Sequence, residues 1–108
     1  MDKLYAIINT YDTEVNIRAV TKNFDSAVKR LCDDVWESIL CVRDWYDDPD
    51  HNEHAKDNLP KSREELFPGL EWKHTDVKII ILPDGIASLD YGLHHEDWFI
   101  TELPEVMD

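Results

Sequence analysis

The sequence predicts an α+β fold in which one long amphipathic helix packs against an antiparallel sheet. Apolar residues recur every three or four positions from Phe24 to Tyr46, which is the period of an amphipathic helix. Short alternating or β-branched segments lie on both sides of that stretch, as is typical of strands. Leu, Ile, Val and Phe make up 29 of the 108 residues, enough for one core. The length therefore indicates a single domain over residues 1–108.

The first part of the chain predicts two strands followed by the helix. Residues 4–8 are apolar, and residues 15–20 alternate in polarity after a polar turn, so we expect an antiparallel pair. The helix begins near Phe24, where Asn23 or Asp25 caps it.

The second part predicts a loop, a short helix and three strands. Pro49 ends the long helix, and a polar, acidic loop follows at about 47–61. Residues 62–65 fit a capping box before a short second helix that ends near Phe67. The three strands are expected at 77–82, 86–91 and 98–103, with a turn at 83–85. The predicted order is β-β-α-β-β-β, with the helix on one face of the sheet.

The chain is strongly acidic, because 24 Asp and Glu residues against 11 Lys and Arg give a net charge of −13. Nucleic acids and anionic membranes attract clustered Lys and Arg, so this balance argues against direct binding to either. The longest apolar run, residues 79–82, is too short to cross a bilayer, and residues 1–12 contain no signal-peptide cleavage site. Cys32 and Cys41 lie too far apart along the helix to pair. We therefore expect a reduced, cytoplasmic protein.

The acids are unevenly distributed along the chain. Residues 33–53 contain eight acids and one base, and residues 79–108 contain seven acids and no Lys or Arg. At 100° per residue, Asp33, Glu37 and Asp44 lie opposite the apolar stripe of the helix, so we expect one solvent-facing acidic row. Such a row either only solvates the domain or forms a charged binding surface.

Trp36 and Leu40 favour the binding surface. Both point to the side of the helix next to Asp33 and Glu37, where a helix packed on one sheet is usually polar. Large apolar groups bordered by carboxylates are typical of a binding site with an aromatic anchor and a charged rim. The alternative is that the loop at 47–61 folds back over Trp36.

Motifs for catalysis or metal binding are incomplete. Asp48, Asp50 and Asn52 match the first ligands of a calcium loop, but Glu53 stands where that loop needs glycine. The histidine pairs at 51 and 54 and at 94 and 95 lack the i, i+4 spacing with which a helix presents two imidazoles to one metal. No serine lies in a nucleophile-elbow motif, and the three glycines form no phosphate loop. We therefore predict no catalytic residue, no metal and no cofactor.

The small size, the acidic runs at 33–53 and 84–108 and the mixed α/β pattern resemble the small inhibitors that phages carry against bacterial defence, including anti-CRISPR and anti-restriction proteins. This resemblance covers the whole chain but involves no shared motif, so no functional residue is transferred. It implies a non-enzymatic inhibitor in the host-cell cytoplasm. Such an inhibitor binds a basic nucleic-acid-binding protein, for example a CRISPR effector or another defence nuclease, in place of nucleic acid.

On this hypothesis, carboxylates replace phosphates in a positively charged channel, and apolar side chains add affinity. The predicted partner-binding residues are Asp33, Trp36, Glu37, Leu40, Asp44, Asp47, Asp48 and Asp50. Two alternatives stay open: a small interaction module that binds a protein through a sheet edge or the Trp36 patch, and a metal-dependent enzyme that uses the histidines. An exposed sheet edge also permits either a monomer or a homodimer.

Overall fold

The computed structural model describes residues 3–45, 58–74, 77–92 and 94–103, with the side chains of residues 44 and 45 excepted. Within these residues one six-stranded antiparallel sheet and one long helix confirm the predicted α+β class. A single 3₁₀ turn, Arg63–Glu65, stands where the short second helix was expected. The other elements are β1 Leu4–Tyr11, β2 Glu14–Thr21, α1 Phe24–Trp45, β3 Glu71–His74, β4 Val77–Leu82, β5 Ile86–Tyr91 and β6 His94–Leu103.

The strands lie in the order β2-β1-β6-β5-β4-β3, and each neighbouring pair is antiparallel. Strands β3 to β6 follow one another as a meander. Strand β1 pairs with β6 along its whole length, from Leu4 opposite Leu103 to Tyr11 opposite Glu96. The first hairpin is therefore joined to the meander in the middle of the sheet, and β2 and β3 form the two edges.

Helix α1 covers one face of the sheet, which we call the inner face. Asn23 caps its start, because Oδ1 accepts a hydrogen bond from the Ser26 amide at 3.2 Å. The apolar stripe is fully buried, since Leu31, Val35 and Ile39 are each 0% exposed. Burial of one such side chain stabilises the fold by about 1.5–3 kcal/mol. The sheet contributes Ile7, Ile79, Ile81, Leu89 and Trp98 to the same core.

A β-bulge in β2 determines which of its residues face the helix. Ile7 pairs with Ala19 and Ile8 with Ile17, so Arg18 is an extra residue opposite β1. In the sequence Ile17 and Ala19 belong to one alternating series. The bulge moves them to opposite faces, with Ala19 beside Ile7 on the inner face and Ile17 beside Ile8 on the outer face. Ile17 is consequently 69% exposed.

Three strands differ from the sequence prediction, and the first of them, β1, continues to Tyr11 beyond the predicted residues 4–8. Strand β3 is not predicted, because Trp72 is its only apolar residue; the indole Nε1 donates a hydrogen bond to the Asn58 carbonyl oxygen at 2.8 Å. Strand β6 begins at His94 rather than at residue 98. Polar side chains, including Glu96, occupy inner-face positions of β6 and interrupt the apolar alternation on which the prediction depended.

Two turns have the residues that their geometry requires. Glu65 Oε2 accepts a hydrogen bond from the Ser62 amide at 3.0 Å, as in a capping box. After β4, Gly85 adopts φ = 90°, and a Cβ at that position would lie 2.8 Å from Ile100 Cδ1. Glycine therefore meets two requirements at once there, a left-handed backbone and close contact with β6.

Candidate functional site

The acidic row of α1 is present, and an arginine lies beside each of its described carboxylates. Asp33 and Glu37 are exposed on the helix, as predicted. Arg63 Nε donates a hydrogen bond to Asp33 Oδ1 at 2.5 Å, and an Arg18 nitrogen lies 3.7 Å from Glu37 Oε2. The domain's own guanidinium groups therefore offset much of the charge of this row.

Asp34 is buried, although its neighbours in the sequence are exposed. Its side chain is 2% exposed and lies 3.7 Å from Arg18 and 3.8 Å from Arg30. Burial raises the pKa of Asp34, and the two arginines act against that shift. Neither carboxylate oxygen has a hydrogen-bond partner among the described residues. Asp34 thus contributes to the domain's interior and not to an exposed acidic surface.

The two apolar residues predicted beside the acidic row differ in exposure. Trp36 is half-buried and packs against the core, whereas Leu40 is 41% exposed. Asp44 lies in the last turn of α1, but its side chain is outside the described atoms. The remaining predicted residues, Asp47, Asp48 and Asp50, lie outside the described residues, as does most of the loop expected at 47–61. The structure therefore brings together Asp33, Trp36, Glu37 and Leu40 from this prediction.

The outer face of the sheet, opposite α1, carries most of the exposed apolar side chains. Nine large apolar side chains of the described residues are at least 38% exposed, and seven of them belong to this face. We call these seven residues the outer apolar face: Leu4, Val15, Ile17, Val20, Leu82, Ile86 and Phe99. Strand register places Ile17, Ile8, Phe99, Ile86 and Leu82 in one row across five strands. Ile8 in this row is buried, and the other four members are at least 40% exposed. Exposed apolar patches larger than a few hundred Å² are rare on monomeric proteins.

Charged groups next to the outer apolar face are paired with one another. His95 Nδ1 is hydrogen-bonded to Asp90, and Nε2 lies 2.7 Å from Asp97 Oδ2. The hydrogen bond with Asp90 raises the pKa of His95 above the ordinary histidine value, and Asp97 adds to this shift. Lys73 Nζ lies 2.7 Å from Glu71 Oε1. The outer face is therefore apolar with a charge-balanced border, although the chain as a whole is acidic.

A polar cluster lies on the inner face beneath the second half of α1. Glu96 is 8% exposed, and its Oε2 accepts hydrogen bonds from Asn9 Nδ2 and Ser38 Oγ, both at 3.0 Å. His94 Nε2 lies 2.7 Å from Glu96 Oε1, and the His94 ring stacks on Tyr11 at 4.8 Å between centroids. Glu96 thus connects β1, β6 and α1 through three side chains.

A small cavity adjoins this polar cluster. It has a volume of about 190 Å³ and is lined by Tyr11, Cys41, Val42 and His94. His94 Nδ1 is buried and has no hydrogen-bond partner among the described residues. Cys41 is exposed, and no hydrogen bond between its thiol and His94 is present. The cluster therefore has hydrogen-bonding groups but lacks the nucleophile-base contact of a catalytic pair.

Within the described ranges, no three or more His, Cys, Asp and Glu side chains are placed to bind a metal ion. His94 and His95 point to opposite faces of β6, and His51 and His54 lie outside these ranges. No helix of the described part of the chain is both long and apolar enough to cross a bilayer.

Sequence reasoning located the exposed side of α1 but missed the outer apolar face. One signal was present, since residues 6–8 form a continuous apolar run, which indicates a strand with apolar residues on both faces.

Comparison of the chain with protein-family models, with curated proteins and with solved structures finds no match. The function is therefore argued from geometry alone.

Proposed function

We propose that this protein is a non-enzymatic protein-binding module whose binding surface is the outer apolar face. The observation that carries the proposal is the concentration of seven of nine exposed large apolar side chains on one side of one sheet. Isolated exposed apolar residues are normal on a protein surface, whereas seven on one face of five neighbouring strands are not. The sheet supplies a rigid base, because α1 holds its inner face through the core.

The exposed apolar side chains are suited to docking another folded surface. Ile17 and Val15 on the edge strand β2 are 69% and 70% exposed, whereas Phe99 near the middle of the row is 40% exposed. Side chains at the middle are thus supported by their neighbours, and those at the edge remain available to a partner. Residues that dominate binding energy cluster near the centre of an interface, which is the position of Phe99 in the row.

A photo-crosslinking residue at Ile86 tests the proposed surface. We expect irradiation to give one discrete adduct with a protein partner, because Ile86 lies in the central row. The same crosslinker at Phe67, which is 50% exposed but lies outside the sheet, is the matched control and is expected to give no such adduct. Gel electrophoresis followed by mass spectrometry measures both products.

Lysine at Ile17 and Phe99 completes this test. In a chain that has the crosslinker at Ile86 together with Ile17→Lys and Phe99→Lys, we expect no adduct, since a partner would have to bury two charges. Adduct formation that persists in this background, or that is equal from Phe67, contradicts the proposal.

The acidic inhibitor suggested by the sequence is a second candidate, supported by the distribution of charge. Residues 44–57 contain six of the 24 acids and one of the 11 bases. Three helical acids upstream of this segment, in contrast, lie beside arginines: Asp33, Asp34 and Glu37. By count along the sequence, acids that few bases accompany are concentrated in this segment, which contains Asp44, Asp47, Asp48 and Asp50.

Neutralising three of these acids tests the inhibitor hypothesis. With Asp47→Asn, Asp48→Asn and Asp50→Asn together, we expect inhibition of target-DNA cleavage by an RNA-guided nuclease to weaken at least about tenfold. Wild-type inhibition is also expected to fall as salt rises, because exposed charges are screened. The control variant loses three exposed charges elsewhere, as Asp12→Asn, Glu14→Gln and Glu64→Gln. Equal weakening by both triple variants, or no inhibition by the wild type, contradicts the hypothesis.

A further inference from the structure

The outer apolar face is large enough for a specific dimer. From their exposed fractions, its seven side chains present roughly 600 Å² to solvent, so two copies face to face would bury roughly 1,200 Å² in total, the lower limit of a standard interface. Sheets that pack face to face through apolar side chains lie about 10 Å apart in β-sandwiches. The apolar row can therefore pack against a second surface of the same kind.

Charge on this face favours a second copy over a basic partner. Three carboxylates of the outer face already have partners, because Asp90 and Asp97 bind His95 and Glu71 binds Lys73, whereas Asp84 in the turn between β4 and β5 is exposed. A basic protein would have to compete with these internal pairs. A second copy brings the same balanced border, so its approach creates no excess of one charge at the interface.

The position of the row also permits two-fold symmetry. Phe99 is the middle member of the row, with Ile8 and Ile17 on one side and Ile86 and Leu82 on the other. A two-fold axis near Phe99 places each half of the row against a half of the other copy. Such an isologous contact uses one surface twice and closes at two copies.

We infer that the partner that fits the outer apolar face is a second copy of this chain, and that the two sheets pack face to face as a homodimer. This inference rests on the proposed function and names its partner. The dimer places both helices on the outside, where the acidic rows of α1 stay in water. Repulsion between two chains of net charge −13 opposes association at low salt, so the dimer is expected to tighten as salt rises.

Sedimentation equilibrium of the intact chain tests the homodimer. From about 1 to 200 μM protein, we expect a monomer–dimer equilibrium whose dissociation constant is micromolar and falls between about 0.05 M and 0.5 M salt. The variant Ile17→Lys/Phe99→Lys is expected to raise that constant at least about 100-fold. The matched control Leu40→Lys/Phe67→Lys makes the same charge change at exposed apolar positions off this face, and it is expected to leave the constant within about threefold.

The possible results distinguish failure of the dimer inference from failure of the proposed function. We expect both double variants to fold, since all four positions are exposed. Circular dichroism and the melting midpoint check this expectation. A wild-type chain that stays monomeric at every concentration and salt overturns the dimer, as does a dimer that Ile17→Lys/Phe99→Lys leaves intact. If that monomer still gives an adduct from Ile86 with a different protein, the proposed function stands without the dimer. If it gives none, both are wrong.

Discussion

Replacement of Glu96 by alanine is expected to lower the free energy of unfolding by about 3–5 kcal/mol, because it removes a buried carboxylate that has three side-chain hydrogen-bond partners. The substitution leaves Ser38 Oγ without this acceptor and removes the partner of His94 Nε2, whereas Asn9 Nδ2 keeps its second acceptor, the Asp97 carbonyl oxygen at 3.2 Å. Each orphaned buried group adds about 1–3 kcal/mol of desolvation cost. Urea unfolding followed by circular dichroism measures the effect.

Glu102 provides the control for this prediction. It lies on the same strand and the same side of the sheet, but it is exposed and only 3.7 Å from Lys3 in an exposed ion pair. We expect Glu102→Ala to change the free energy of unfolding by less than about 0.5 kcal/mol. A loss for Glu96→Ala as small as that for Glu102→Ala would show that the polar cluster does not hold β1, β6 and α1 together.

The elements that could be predicted are those whose apolar period matches one buried side. Helix α1 begins at Phe24 as predicted, because its apolar stripe and its Asn23 cap are both local signals. Strands β4 and β5 have the predicted bounds for the same reason. Strand β3 was not predicted, because its one apolar residue, Trp72, cannot form an alternating pattern of apolar and polar residues. The first residues of β6 were not predicted as a strand, because Glu96 is polar and yet faces the core.

The candidate site could be predicted only in part, because its surface depends on pairing between distant strands. Leu4 and Phe99 lie on one face only because β1 pairs with β6, and no local pattern specifies that pairing. The bulge that separates Ile17 from Ala19 is equally invisible in the sequence. The helix face, by contrast, follows from the 100° rotation per residue, which correctly placed Asp33 and Glu37 in solvent.

The same bulge explains why an acidic residue lies in the interior. Arg18 is the extra residue of β2, and its guanidinium lies within 3.7 Å of both Asp34 and Glu37. A buried carboxylate is tolerated only where positive groups offset its desolvation. The helix therefore depends on a cation from the sheet at this point, and removal of that cation is the second change with a large expected effect.

Arg18→Met, which keeps the apolar stem but removes the charge, is expected to lower the free energy of unfolding at neutral pH by about 2 kcal/mol. The value is below the full cost of breaking a buried pair, because Arg18 is 41% exposed and Arg30 also lies 3.8 Å from Asp34. The double variant Arg18→Met/Asp34→Leu is expected to regain most of the loss, since it removes the buried charge as well. Urea unfolding measures both, and no recovery in the double variant would contradict the ion-pair explanation.

The pH dependence of stability gives an independent test of Asp34. Its folded-state pKa is raised above the ordinary value of 3.8, mainly by burial, so the folded state binds the proton more tightly than the unfolded chain does. The resulting stabilisation is present below pH 3.8 and is lost as pH rises through the folded-state pKa. Asp34→Asn removes this titration, so its stability relative to the wild type should increase over that pH interval. A curve for Asp34→Asn that runs parallel to the wild-type curve would show that the carboxylate is not desolvated.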